Sequence, residues 1–162
     1  FTRSNDDFSV SALYKPNDPQ SSNQGYYNLM NTFESSSAEW WSLSLLGPSP
    51  RPFWVCDNDS AKIELWADGG TVNSTWQMIT GTRSGNTMKI YVNGTLQGTS
   101  TALTSSAISG VEPIWIASRS NEDTGSPSET YGGWISDLKM YSKELSDSEV
   151  LQNYNALKDR YT

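Results

Sequence analysis

The chain has 162 residues, 18 of them acidic against 11 basic, no histidine and a formal charge of −7. That length makes a single domain over residues 1–162 the default. The acidity excludes a nonspecific nucleic-acid binder, whose phosphate contacts need a basic surface. No segment approaches the roughly 18 consecutive apolar residues of a membrane span, and one cysteine, Cys56, excludes an intrachain disulfide. Cys56 lies in an apolar run and reads as a buried thiol. Phe1 is neither an initiator Met nor the start of a signal peptide, so the expectation is a processed chain or part of a longer polypeptide.

From the N-terminus, Phe8 to Lys15 alternates, with Phe8, Val10, Ala12 and Tyr14 on one face of a strand. Pro16 to Pro19 breaks it, and Tyr26 to Phe33 is the next strand. After a serine-rich turn, Trp40 to Leu46 places Trp41, Leu43 and Leu45 inward. Its neighbouring tryptophans must then point to opposite faces, so one of Trp40 and Trp41 looks away from the core. Gly47 to Pro52 reads as a loop, because its prolines withhold the amides a central strand needs. Phe53 to Cys56, Lys62 to Ala67 and Trp76 to Arg83 are further strands. Met88 to Val92, Asn93-Gly94 and Thr95 to Thr99 form a hairpin, since Asn-Gly tolerates positive φ at both central positions of a type I′ turn. Pro113 to Ser118 is a strand, Arg119 to Gly133 a polar loop, and Gly132 to Tyr141 the last strand.

One helix closes the chain. Ser146-Asp147-Ser148-Glu149 is a capping box with acidic residues at the helix N-terminus. Val150, Leu151, Tyr154, Leu157 and Tyr161 recur at spacings of three and four, giving an apolar stripe that must dock on a sheet. About ten short strands and one helix define an all-β antiparallel sandwich.

The segments Trp76 to Arg83, Met88 to Gly94, and Gly133 to Tyr141 with Leu145, Ser146 and Glu149 resemble, in that order, the laminin-G-like branch of the concanavalin A-like lectin/glucanase superfamily. The resemblance covers nearly the whole chain and implies a jelly-roll β-sandwich with a C-terminal helix. The ending Glu149 to Leu157 is similar to modules of bacteriophage and environmental virion proteins.

Because that superfamily includes retaining glucanases, catalysis must be weighed. Their chemistry needs two carboxylates about 5 Å apart, and the family supplies them in a Glu-x-Asp-x-x-Glu pattern that this sequence lacks. Without histidine there is no Ser-His or Cys-His pair either, and the expectation is a non-enzyme. The resemblance implies calcium at the sandwich rim, for which Asp57, Asp59, Asn121 and Asp123 offer oxygen ligands on turn-forming stretches. Tyr26, Tyr27, Trp40, Trp54 and Tyr131 stand near expected loops and are the candidate platforms for sugar rings. Trp41, Trp66, Trp76, Trp115 and Trp134 fall within strands and read as core.

These features lead to two expectations. The first is a non-catalytic recognition or adhesion module that binds glycans or cell-surface polysaccharide as part of an extracellular or virion protein. The second is a structural virion component, a capsid decoration, fibre or tail protein, whose partners are other subunits of a larger assembly.

Overall fold

The computed structural model describes residues 7–17, 26–32, 39–47, 51–58, 61–68, 74–103, 113–120, 127–128 and 130–160. In chain order the strands are β1 (Phe8–Pro16), β2 (Tyr26–Asn31), β3 (Glu39–Leu46), β4 (Arg51–Asn58), β5 (Lys62–Trp66), β6 (Gln77–Ser84), β7 (Thr87–Val92), β8 (Thr95–Ser100), β9 (Trp115–Ile116), β10 (Arg119–Ser120), β11 (Pro127–Ser128) and β12 (Gly133–Tyr141). Helix α1 (Asp147–Leu157) follows and tightens into a 3₁₀ turn over Lys158–Arg160. The strands form two five-stranded sheets, ordered β12-β1-β6-β7-β8 and β5-β4-β3-β2-β9, with β10 and β11 as a small separate ladder. Every pairing within the two large sheets is antiparallel. The fold is therefore the expected all-β sandwich with a C-terminal helix.

Period-two alternation builds the core. Phe8, Val10, Ala12 and Tyr14 face Trp41, Leu43, Leu45, Trp54 and Cys56 across the sandwich, all at or below 1% exposure. Phe8, Trp41 and Trp54 pack as a ring triad with centroids 5.8–6.0 Å apart. Trp54 reaches furthest: its Nε1 donates to the Thr82 carbonyl of the opposite sheet at 3.3 Å. Its indole lies so close to Gly81 that an added Cβ would fall 2.4 Å from Trp54 Cδ2. Glycine is thus required at 81 for steric room.

The outer face of the first sheet is covered by the helix. Leu13, Met78 and Tyr91 form a second cluster with Leu145 and Val150, and Tyr154 and Leu157 pack against it. The capping box is complete, with Ser146 accepting from the Glu149 amide and Glu149 accepting from the Ser146 amide. A clamp fixes the helix to β7: Tyr91 donates its hydroxyl proton to Asp147 Oδ1 at 2.8 Å, and Lys89 Nζ stands 3.4 Å from both Asp147 and Glu144. The hairpin turn has φ of +50° at Asn93 and +78° at Gly94, as the Asn-Gly sequence demands. Leu151 presses on that turn, its Cα lying 3.2 Å from where a Gly94 Cβ would sit. Leu151 itself stays exposed, unlike the rest of the described stripe.

Three local readings need correction. Arg51 and Pro52 belong to β4, with Pro52 opposite Leu45. Proline is tolerated because the N–H and C=O of a strand residue point to the same side. The Pro52 carbonyl accepts from Ala67, just past the end of β5, so its missing donor falls there and spares the ladder to β3. The strand expected over Pro113 to Ser118 contracts to two residues, since Ala117 turns to φ +60°. Pairing also interrupts the expected loop after Arg119, through β10 and β11.

Two predictions follow from these contacts. Gly81→Ala gains strand propensity of about 0.5–1 kcal/mol but drives a methyl into a fully buried indole, so chemical denaturation is expected to show a net loss of about 2 kcal/mol or more. The helix start should also be acid-sensitive. Glu149, held by Lys143 and the Ser146 amide and hydroxyl, titrates at about 2 instead of 4.5. Asp147 is likewise lowered, chiefly by the Tyr91 hydroxyl and then by Lys89. Both folded-state values lie below their unfolded ones, so the stabilisation is present above the unfolded values and lost as pH falls towards about 2. Melting temperatures across that interval should fall less steeply in Asp147→Asn and Glu149→Gln than in the parent chain; equal slopes would refute the assignment.

Candidate functional site

With Trp41, Leu43, Trp54, Cys56 and Leu65 directed into the core, alternation sends their neighbours to the outer face of the second sheet. The register groups these neighbours into rows. Trp40, Asp57 and Lys62 lie opposite one another across β3, β4 and β5. The next row is Ser42, Val55 and Glu64, extended through Asn31 to Trp115 on β9. The third is Asn28, Ser44, Phe53 and Trp66. Three tryptophans, at 40, 66 and 115, therefore share the face turned away from the core.

The centre of this face is polar and fixed. Asn28 Oδ1 lies 3.0 Å from Ser42 Oγ and 2.9 Å from Ser44 Oγ, and the two hydroxyl oxygens lie within bonding distance of each other. Their two protons are shared within this triangle, at least one of them donated to Asn28. Asn28, Ser42, Ser44, Phe53 and Val55 are all buried. Asn31, equally buried, donates to the Ser118 carbonyl at 2.8 Å and ties the β9 end to the rest.

The rim carries aromatic rings and charges together. Lys62 Nζ stands over the Trp40 ring, 5.5 Å from its centroid, and pairs with Glu64 at 2.6 Å. Arg51 stands over Trp66 at 5.7 Å, while Phe53 supports Trp66 from below with centroids 4.5 Å apart. Arg51 Nε and Nη2 donate to the Ala67 carbonyl, and Nη2 lies 3.5 Å from Asp68. Trp40 and Trp66 are half-buried, and Lys62 and Arg51 keep 43% of their side-chain surface exposed. Such a face offers apolar ring surface, N–H donors and carboxylate acceptors within one strip.

Of the five aromatic platforms expected from sequence, the structure places Trp40 on this rim. Trp54, Tyr27 and Tyr131 are corrected. Trp54 is wholly buried mid-strand against Gly81, Tyr27 is 3% exposed in the core, and Tyr131 packs edge-on against Tyr14. Burial also pushes the Tyr131 hydroxyl pKa upward. Tyr26 opens β2 opposite Leu46, and its side chain lies outside the described set. Among the candidate metal ligands, Asp57 stands directly across the ladder from Lys62, a neighbour that disfavours a second cation. Asp59, Asn121 and Asp123 lie outside the described residues. Among the described residues no three His, Cys, Asp or Glu side chains converge.

Sequence reasoning assigned Trp66, Trp115 and Trp134 to the core, whereas Trp66 and Trp115 are half-buried and Trp134 is 56% exposed. For Trp66 the signal was present. In Lys62-Ile63-Glu64-Leu65-Trp66, an inward Leu65 places Trp66 on the same face as the two charges.

Comparison with known proteins agrees with this architecture. A family profile described as the concanavalin A-like lectin/glucanases superfamily matches residues 1–151, and the chain belongs to that superfamily. No curated protein matches the sequence. Among solved structures, the chain is similar to the CBM40 of the Ruminococcus gnavus IT-sialidase bound to α2,3-sialyllactose. The TM-score is 0.75 at 17% identity, covering 94% of this chain and 84% of that one. It is similar also to domain 4 of AbnA, an extracellular arabinanase of Geobacillus stearothermophilus, in complex with arabinotriose. There the TM-score is 0.66 at 16% identity, covering 91% and 66%. A heptameric SAP-like pentraxin of Limulus polyphemus aligns with a TM-score of 0.67 at 19% identity, over 90% and 68%. At these identities the likeness is one of fold.

Proposed function

We propose that this chain is a non-catalytic glycan-recognition module of an extracellular or virion protein, and that it binds through the outer face of β3, β4 and β5. The observation that carries this reading is the pair of half-buried tryptophans, Trp40 and Trp66, each under a cation that is itself close to a carboxylate. Ring faces and edges pack against the C–H groups of a sugar, while Lys62, Arg51, Glu64 and Asp68 exchange hydrogen bonds with its hydroxyls. Two proteins of similar fold, the CBM40 and the AbnA domain, are seen with sialyllactose and arabinotriose, which supports a sugar ligand here. The sequence lacks the paired-carboxylate pattern of the retaining glucanases, which supports recognition without hydrolysis.

A glycan array probed with the purified chain is expected to give specific binding that Trp66→Ala and Trp40→Ala each weaken by about tenfold or more, with the circular dichroism spectrum retained. Binding that survives both substitutions would displace the site, and silence from a folded protein would overturn the function. Calcium at Asp57 with Asp59, Asn121 and Asp123 is a separate proposal. It predicts a melting temperature raised by millimolar calcium and restored by EDTA, and an unchanged temperature would dispose of it.

A structural role within a larger assembly rests on a different feature. Among the described residues β12 pairs with β1 alone and carries the exposed Trp134. An edge strand of nine residues is a template for another chain. If it is used this way between copies, the mass in solution exceeds that of a monomer and Trp134→Lys restores the monomer.

A further inference from the structure

Resting on the glycan-binding reading of the outer face, we infer that its ligand is a neutral oligosaccharide, selected against sialylated, uronate-bearing or sulfated chains by the charge pairing of the rim.

Both cations of the face lie close to carboxylates. Lys62 lies 2.6 Å from Glu64 and shares its row with Asp57. Arg51 lies 3.5 Å from Asp68, whose side chain is 92% exposed. An incoming carboxylate or sulfate would meet a cation whose field is already cancelled and would stand beside one or two like charges, an arrangement that disfavours it. A sugar hydroxyl is both donor and acceptor, so it can use the two members of each pair at once.

The rest of the chain offers little to reverse this balance. Among the other basic residues, Lys89, Lys139 and Lys143 are paired with carboxylates, and Arg83 is buried. Lys15 stands over Trp134, across the sandwich on the first sheet. Lys158 and Arg160 end the helix that covers that sheet, and Arg119 is half-buried on β10. The segments outside the described residues contribute one further cation, Arg3, at the N-terminus. With a formal charge of −7, the long-range field also repels polyanions.

Spacing adds a length requirement. The Lys62–Trp40 and Arg51–Trp66 stations are four residues apart along β5, about 13 Å at the usual rise of a strand. One sugar ring does not span that distance, so occupation of both stations takes an oligosaccharide.

The test compares immobilised neutral oligosaccharides with sialylated, uronate-bearing and sulfated ones, and titrates the best of each class by calorimetry at low and high salt. The expected result is preference for a neutral chain over its monosaccharide units, with affinity that changes by less than about threefold with ionic strength. In the double variant Glu64→Gln, Asp68→Asn the two cations lose these partners, and carboxylated glycans are expected to gain affinity by about tenfold, with the gain reversed by salt. An acidic glycan preferred by the parent chain, with binding that falls steeply in salt and depends on Trp66, would overturn this inference while sustaining glycan recognition. A double variant whose affinities for carboxylated and neutral chains both stay at the parent's values would also overturn it. Absence of any glycan binding by the folded chain would remove the underlying function instead.

Discussion

The contact between Trp54 and Gly81 is the constraint on which the rest of the molecule depends. An indole from one sheet lies directly on the backbone of the other, and its Nε1 donates across the gap to Thr82. No side chain fits between them, so this contact sets how closely the sheets approach and the register in which they face one another. Phe8 and Trp41 complete the aromatic centre around it. Because side chains alternate strictly along a strand, fixing Trp54 inward also fixes Phe53 and Val55 outward. Pairing carries that parity to Ser42 and Ser44 on one side and to Glu64 and Trp66 on the other. The outer face is thus a consequence of the core, determined by one buried ring and propagated by hydrogen-bonded neighbours.

The first sheet meets the same problem with a different solution. Its outer face carries Leu13, Met78 and Tyr91, apolar surface that water would meet if nothing lay over it. The helix covers it, and its position is held at two points. Tyr91 and Lys89 grip the first turn through Asp147, while the Asn93-Gly94 turn approaches the helix backbone at Leu151. The exposed Lys89 pair contributes at most about 1 kcal/mol, so the Tyr91 hydrogen bond, the steric turn contact and the packing of Val150, Tyr154 and Leu157 carry the rest. Together they orient a helix with only one fully buried residue, Val150. One sheet is closed by apolar packing of the helix, whereas the outer face of the other has a buried, largely polar centre and keeps half-buried rings and exposed charges along β5.

Much of the fold was legible because its signals are local. The Asn-Gly hairpin, the capping box and the alternation of Phe8 to Tyr14 depend on residues close in sequence, and each appears where expected. The errors arose where distant partners decide. Pro52 enters a strand because β5 ends beside it, a fact that no stretch around Pro52 contains. Tyr131 and Tyr27 looked like loop-side platforms, yet Tyr131 packs on Tyr14 from the other end of the chain. The site was half legible. Trp40 could be separated from Trp41 by parity alone, whereas Trp54 was misassigned because its strand was cut short at Phe53. Extended to Arg51, the same parity places Trp54 among the core residues and Phe53 outside them. The pairing of Arg51 with Trp66 and of Lys62 with Trp40 required the register of three strands, which composition and periodicity do not carry.

Charge on the outer face has an ordinary explanation that accounts for only part of it. Among the described residues β5 is an edge of its sheet, and charged residues on an edge discourage pairing with another chain. Lys62 and Glu64 fit that role without any ligand. Trp66 does not. Even a half-buried indole on an edge strand invites the association that its charged neighbours oppose, and solubility alone would favour a smaller polar residue there. Here Trp66 is instead supported by Phe53 beneath and by Arg51 above, and Arg51 is in turn held by the Ala67 carbonyl. Three residues fix the orientation of this ring, which in turn packs on the buried Phe53. Packing explains Trp41 and Trp54 and edge protection explains Lys62 and Glu64, whereas the held orientation of Trp66, between Phe53 and Arg51, is the feature that the proposed ligand contact draws on.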